Sequence, residues 1–209
     1  MTLDPRVRTV QAGYDELAPR FGDWGQRIEG DPWKRFLDDL AARLPEGARV
    51  LDLGCGNGTK LARLAGRFDL TGVDVSEEQL RLARTEVPGA RLLQGDFAQL
   101  DFPEGSFDAV IALYSITHLP REEHPALLGR IGGWLKPGGL FLASLSHVGG
   151  EDWTGEWLGV EMFFSGHDAD KNRRLVREAG FELLGDELVW MREPEAEIAF
   201  LWVLARKPS

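Results

Sequence analysis

Three glycines and two carboxylates carry the first readable chemistry. Residues 50–58 read VLDLGCGNG, an apolar run that contains Asp52 and enters a turn with glycine at alternate positions, Gly54, Gly56 and Gly58. A turn without Cβ atoms bends sharply and lets a ligand lie against its backbone. Leu61, Leu64 and Ala65 then fall on one helical face. Strand, glycine turn and helix in that order predict a nucleotide-type cradle, with helix N–H groups facing the ligand. The next apolar run, FDLTGVDV at residues 68–75, places Asp74 20 positions after Gly54. At that spacing a carboxylate sits at the tip of the second strand and can accept hydrogen bonds from both ribose hydroxyls. An ionised carboxylate only accepts, so it suits a diol and repels a ribose phosphate. Ser76 follows as an N-cap with Gln79 three residues on, the pattern of a capping box.

These residues need a frame. Asp4-Pro5 opens a helix with Val7, Val10, Tyr14 and Leu17 at helical spacing, and Pro19 ends it. Residues 21–31 link to a second helix over 32–44, and residues 49–53 form the first core strand. Helices and strands then alternate to about residue 146, which predicts a parallel sheet covered on both faces. After an irregular stretch over 147–168, a helix at 169–179 stops at Gly180. FELLGDELVW and EIAFLWVLARK read as two strands with a short connection, hence an antiparallel pair.

Composition bounds the partners. A chain of 209 residues suffices for one domain with a large core. A net charge of −10 disfavours nucleic acid and anionic membranes, whose phosphates are gripped mainly by Lys and Arg. Lys171-Asn172-Arg173-Arg174 is the longest basic cluster and reads as a solvated helix face. One cysteine excludes an internal disulfide and suits a reducing compartment. The N-terminus has no apolar signal segment and no run reaches membrane-spanning length, so a cytoplasmic protein is expected. The four histidines are too scattered among the acids to predict a metal site.

From the residues alone, a nicotinamide or flavin oxidoreductase and a methyltransferase dependent on S-adenosylmethionine (SAM) both remain open. The ordered motifs resemble the second. LDLGCGNG at 51–58, GVDVS at 72–76, QGDF at 94–97, FDAVIALYSITHL at 107–119 and LKPGG at 135–139 are similar, in order and spacing, to the motifs of class I SAM-dependent methyltransferases of the small-molecule, ubiquinone-biosynthesis-type branch. The resemblance covers roughly residues 48–145, and the turn runs G-x-G-x-G rather than the G-x-G-x-x-G commoner in dinucleotide enzymes. It implies an α/β, Rossmann-like, mostly parallel seven-stranded sheet with helices on both faces and a C-terminal antiparallel hairpin whose last strand inserts between two others. It also implies one domain over 1–209, with a helical cap over 1–46.

The resemblance carries a cofactor site with it. Asp52 and the backbone of Gly54 and Gly56 face the methionine part of SAM, with Asp52 reaching its ammonium through water. Asp74 binds the ribose, Val75 packs on the adenine, Asp96 accepts from the adenine amino group with Phe97 beside it, and Leu113 flanks the sulfonium. Cys55 in the turn reads as a small packing residue, without the neighbouring base that a catalytic thiol needs. Tyr14 lies on the helix that closes over the cofactor, where its ring gains cation–π attraction from a sulfonium.

His118, in Ser-Ile-Thr-His-Leu after the fourth strand, is the one histidine placed by a motif, and is the candidate general base. Residues 147–168 hold Trp153, Trp157, Phe163 and Phe164 among acids and glycines, and are expected to form a substrate lid with the first helix. Aromatics with acids suit a cationic amine, and tryptophans also pack on any flat apolar ligand. The expected reaction is methyl transfer from SAM to an O, N or C nucleophile of a small metabolite, by a monomer or homodimer. A non-catalytic module that binds SAM or S-adenosylhomocysteine (SAH) is the alternative from another class.

Overall fold

A computed structural model describes residues 3–209. In chain order the elements are α1 (Pro5–Gly25), α2 (Trp33–Arg43), β1 (Arg49–Leu53), α3 (Thr59–Ala62), β2 (Asp69–Asp74), α4 (Glu77–Glu86), β3 (Arg91–Gln94) and β4 (Phe107–Leu113). They continue with α5 (His124–Trp134), β5 (Leu135–Ser146), β6 (Trp153–Trp157), β7 (Val160–Phe164), α6 (Ala169–Glu178), β8 (Glu182–Arg192) and β9 (Glu197–Arg206). The seven-stranded sheet has the order β3-β2-β1-β4-β5-β9-β8. β1 to β5 are parallel, and β9 runs antiparallel between β5 and β8, as the motif series implies. From β1 the chain winds first towards β3 and then returns to β4, so the strand order reverses between β1 and β4. In an open α/β sheet a ligand crevice forms at the carboxyl ends of such a pair.

Alternation along each strand feeds two cores. Val50, Ile111, Leu142 and Trp202 face Leu37, Leu40, Leu61 and Leu80. Leu51, Val110, Phe141 and Val203 face Leu128, Ile131 and Leu175. A side-chain period of two thus buries both faces of the sheet under helices.

Three expectations from the sequence are corrected. Pro19 does not end α1, which continues to Gly25. An internal proline costs a helix roughly 3 kcal/mol, and aromatic packing beyond it offsets that cost. Phe21 stacks on Trp24 with ring centres 5.5 Å apart, Tyr14 meets Phe21 edge-on at 5.2 Å, and Trp157 meets Trp24 edge-on at 5.2 Å. Residues 147–168 are not irregular throughout, because β6 and β7 pair as a separate antiparallel hairpin. Its turn, Leu158-Gly159, has both φ values positive (53° and 80°), a geometry that Asn-Gly signals in sequence and Leu-Gly does not. The helix after the glycine turn is only four residues long, so a helix N-terminus adds little to the cradle.

α1 and β7 share a third core of Val10, Leu17, Val160, Met162 and Phe163. Gly13 makes this contact possible. A Cβ there would lie 2.7 Å from Met162 Cε and 2.9 Å from the Glu161 carbonyl oxygen. Arg6 ties the helix to the rest through Glu122 at 2.8 Å. No helix among the described residues is long and apolar enough to cross a membrane.

Candidate functional site

The glycine turn is bolted to the second strand. Gly54 N–H and Cys55 N–H both donate to the Val73 carbonyl, at 2.8 and 3.0 Å. Gly54 has φ 79°, and a Cβ on it would stand 2.4 Å from Ser115 Cβ, so the loops after β1 and β4 touch there. Asp74 ends β2 facing this turn. Its Oδ2 accepts from Gly56 N–H at 2.7 Å and its Oδ1 from Ser76 N–H at 2.9 Å. Burial pushes its carboxyl up to about 6, against the two backbone hydrogen bonds that favour the charged form.

Ser76 caps α4 as expected, its Oγ accepting from Gln79 N–H at 3.1 Å. The reciprocal half of the capping box is absent, because the Ser76 N–H is taken by Asp74. The Gln79 amide is consequently buried with neither Nε2 nor Oε1 paired, and it borders the cavity beside Gly56. An unpaired buried amide costs about 1–3 kcal/mol, so the group is poised to gain from a ligand. Replacing it with Leu is expected to leave the melting temperature of the free protein unchanged or raised, while SAH binding weakens by about three- to tenfold. A thermal melt and a calorimetric titration check both halves. A drop in stability with unaltered affinity would reassign Gln79 to packing.

One cavity of about 1360 Å³ opens over these loops. Small-molecule sites commonly span about 300–1,000 Å³, so it accommodates more than a single ligand. Its wall includes Tyr14, Gly54, Cys55, Gly56, Asp74, Val75, Phe97, Leu113, His118, Trp153, Trp157 and Phe164. Three expected residues lie off the wall. Asp52 is 1% exposed behind the turn, its Oδ2 without a partner, and burial pushes its carboxyl up to about 7. Asp96 is buried with its Oδ1 accepting from Ala98 N–H at 2.9 Å. Phe163 is corrected as a substrate contact. It fills the core between α1 and β7, and only its carbonyl reaches towards the site. Cys55 is buried beneath the turn, and burial raises its thiol well above the ordinary range, which fits packing rather than nucleophilic chemistry.

His118 is not a free base. Its Nδ1–H donates to the Phe163 carbonyl at 2.9 Å, which leaves Nε2 to accept from the Tyr14 hydroxyl at 2.8 Å. Burial lowers its pKa to about 4, so the ring is neutral near pH 7. Desolvation also raises the Tyr14 hydroxyl, which stays protonated and donates. The Tyr14 ring lies 5.2 Å from that of His118, edge to face.

Several wall residues carried no sequence signal for this site. Tyr114 sits past β4 with φ 62°, rare for a residue with a side chain. Its hydroxyl donates to Asp31 at 2.5 Å, and Lys60 Nζ stands 5.2 Å from its ring centre. Trp190 and Glu193, from β8 and the turn after it, reach the wall because β9 inserts next to β5.

A methyltransferase-domain family model matches residues 50–139. The 27-O-demethylrifamycin SV methyltransferase of Amycolatopsis mediterranei is 32% identical over 157 residues, covering 65% of this chain and 57% of that one. The trans-aconitate 2-methyltransferase of Deinococcus radiodurans is 41% identical over 123 residues, covering 53% and 46%. The chain thus spans about half the length of these relatives. Among solved structures, a Burkholderia thailandensis 1,6-didemethyltoxoflavin-N1-methyltransferase, bound to 1,6-didemethyltoxoflavin and SAH, superposes with a TM-score of 0.75 at 22% identity, covering 100% of this chain and 93% of that one.

Proposed function

We propose that this chain is a class I SAM-dependent methyltransferase, and that it transfers methyl from SAM to an O, N or C atom of a small-molecule acceptor held in the same cavity. The observation that carries the reading is the Asp74 carboxylate, fixed by Gly56 and Ser76 N–H groups at the carboxyl edge of the sheet and bordering the cavity. The residues present fit the cofactor. Two buried polar groups without partners, on Asp52 and Gln79, flank a glycine turn open to a ligand.

When bound, SAM supplies a methyl group on a positively charged sulfur, already an activated leaving group. The protein's part is to orient and to exclude water, and orientation supplies roughly 7–11 kcal/mol in favourable cases. Asp74 accepts from the ribose diol, and Asp52 answers the ammonium. Val75 and Phe97 flank the adenine, with Asp96 accepting from its amino group, and Leu113 borders the sulfonium. The Tyr14 ring offers its face to that cation. His118 acts as a positioning residue, since its Nε2 holds the Tyr14 hydroxyl in place. Trp153, Trp157 and Phe164 line the acceptor side.

α1 and residues 147–168 form the roof, joined by the core between α1 and β7. Asp15 of α1 latches it to the ribose loop, accepting from Ser76 Oγ at 2.6 Å. Saturating SAH is therefore expected to slow chymotrypsin cleavage within 147–168 severalfold. Equal cleavage rates with and without SAH would count against closure over the cofactor.

Calorimetric titration tests the core of the reading. SAH is expected to bind in the micromolar range and NAD not at all, with methylated product formed from SAM and a member of a metabolite panel. NAD binding without SAH binding would overturn the assignment, and SAH binding without turnover on any acceptor would favour a non-catalytic module.

A further inference from the structure

Building on the methyl-transfer reading, we infer that the part of the cavity beyond Tyr14 and His118 takes a flat apolar acceptor bearing a cationic nitrogen, with Glu193 as its charge partner and Trp153 and Trp190 as its aromatic walls. Glu193 stands where β8 turns into β9. Its N–H closes that turn on the Ala196 carbonyl at 2.9 Å, and its half-buried side chain borders the cavity. No ion pair or hydrogen bond among the described residues answers the carboxylate, and desolvation alone raises its pKa. The adjacent Arg192 is already engaged with Glu197 at 3.1 Å. Glu193 and Tyr14 border the same cavity.

Exposed aromatic surface borders the same cavity. Trp190 is 60% exposed and Trp153 45%, unusual for side chains with so much apolar area. Trp190 meets the ring of His147 at 5.6 Å, and Trp153 meets Phe164 at 5.8 Å, so each indole is braced from within the cavity. Indole faces and an unpaired carboxylate on one cavity wall make an environment that attracts cations.

The remaining charges argue against an anion. Among the described residues the wall carries two lysines and no arginine. Lys60 lies under the opposing fields of Asp31 and Asp52, and Lys34 is exposed over the Trp33 ring. Asp23, Asp31, Asp74, Glu193 and Glu197 outnumber those two lysines on the wall, so an entering carboxylate or phosphate meets a negative field, a repulsion that sets specificity as much as any attraction does. The acids of the hairpin segment do not serve this purpose. Asp152 is paired with Arg121 at 2.6 Å, and Glu156 and Glu161 are absent from the wall.

Three probes with one ring system separate the possibilities: 2-(2-naphthyl)ethylamine, 2-(2-naphthyl)ethanol and 2-naphthylacetate, each titrated into the SAH-saturated protein. The amine is expected to bind at least tenfold tighter than the carboxylate, with the alcohol between them. Glu193→Gln should abolish that ranking, and Trp190→Ala should weaken all three probes alike. A ranking that survives Glu193→Gln, tighter binding of the carboxylate, or no binding by any probe would overturn the inference. SAH affinity, measured in the same series, reports separately on the methyl-transfer reading, because its loss from the unaltered protein would remove both. Sinefungin, which carries an ammonium in place of the sulfonium, closes the last route. Weakening of sinefungin but not SAH by Glu193→Gln would make Glu193 the cofactor's partner instead and overturn the acceptor assignment.

Discussion

Replacing Asp74 with Ala is expected to weaken SAH binding by about ten- to a hundredfold, the worth of hydrogen bonds from a ligand to a charged group. The effect is large because the carboxylate does two jobs. It presents its acceptors to the ribose hydroxyls, and it ties the Gly56 and Ser76 N–H groups into one loop geometry at 2.7 and 2.9 Å. Asp74→Asn separates these jobs. The amide oxygen keeps one backbone partner, but the charge is gone and the amide nitrogen cannot accept. Its SAH affinity should fall nearly as far as that of the Ala variant, with a smaller change in melting temperature. Affinity equal to the parent in both variants would mean that the ribose lies elsewhere.

The same residue gives the binding a pH dependence of definite sign. Burial raises Asp74 to about 6 in the free protein, and a diol stabilises the ionised form. Binding therefore releases a proton in this range, and affinity falls as pH drops from 7 towards 5. Asp52, raised to about 7, adds a step of the same sign when the ammonium binds. In Asp74→Asn the step near 6 disappears, while the Asp52 step remains and moves lower because the Asp74 charge no longer raises it.

Gly54→Ala is expected to lower stability by about 3–5 kcal/mol, or roughly 6–20 °C in melting temperature for a chain of this size. Two costs add. The backbone stands at φ 79°, which a side chain disfavours, and the new Cβ would lie 2.4 Å from Ser115 Cβ. Ser115→Gly in the same chain removes the collision and leaves the backbone strain, so the double variant should recover about half of the loss relative to Ser115→Gly alone. Strict additivity of the two single effects would show that contact between the two loops is not the cause. The collision also explains why the crevice has its shape, since the loop after β1 can sit against the loop after β4 only if this position has no side chain.

The sheet was legible in the chain because its signals are local and periodic. Residues 49–53 and 68–75 announced adjacent parallel strands, the paired strands after Gly180 announced the hairpin, and Asp74 was placed by its distance from Gly54. The roof was misread where packing overrides local preference. Pro19 is an ordinary helix breaker, outweighed here by aromatic contacts between α1 and the β6–β7 hairpin. Leu158-Gly159 turns a hairpin because Arg20 holds the Leu158 carbonyl at 2.8 Å and Val160 and Met162 are buried against α1, none of which is a turn signal.

At the candidate site, sequence by itself determined the glycine turn and the place of Asp74 against it. These residues hang on one short stretch, where spacing along strand, turn and strand converts directly into spacing in the fold. Only the tertiary structure decided the rest of the cavity wall. It joined Tyr14 to His118 across 104 positions, sent Phe163 into the core, and brought Trp190 and Glu193 to the wall. The physical reason is that these contacts are made by elements far apart in the chain. Their meeting is set by burial of the α1–hairpin core and by the insertion of β9 beside β5, and no local pattern of residues encodes either.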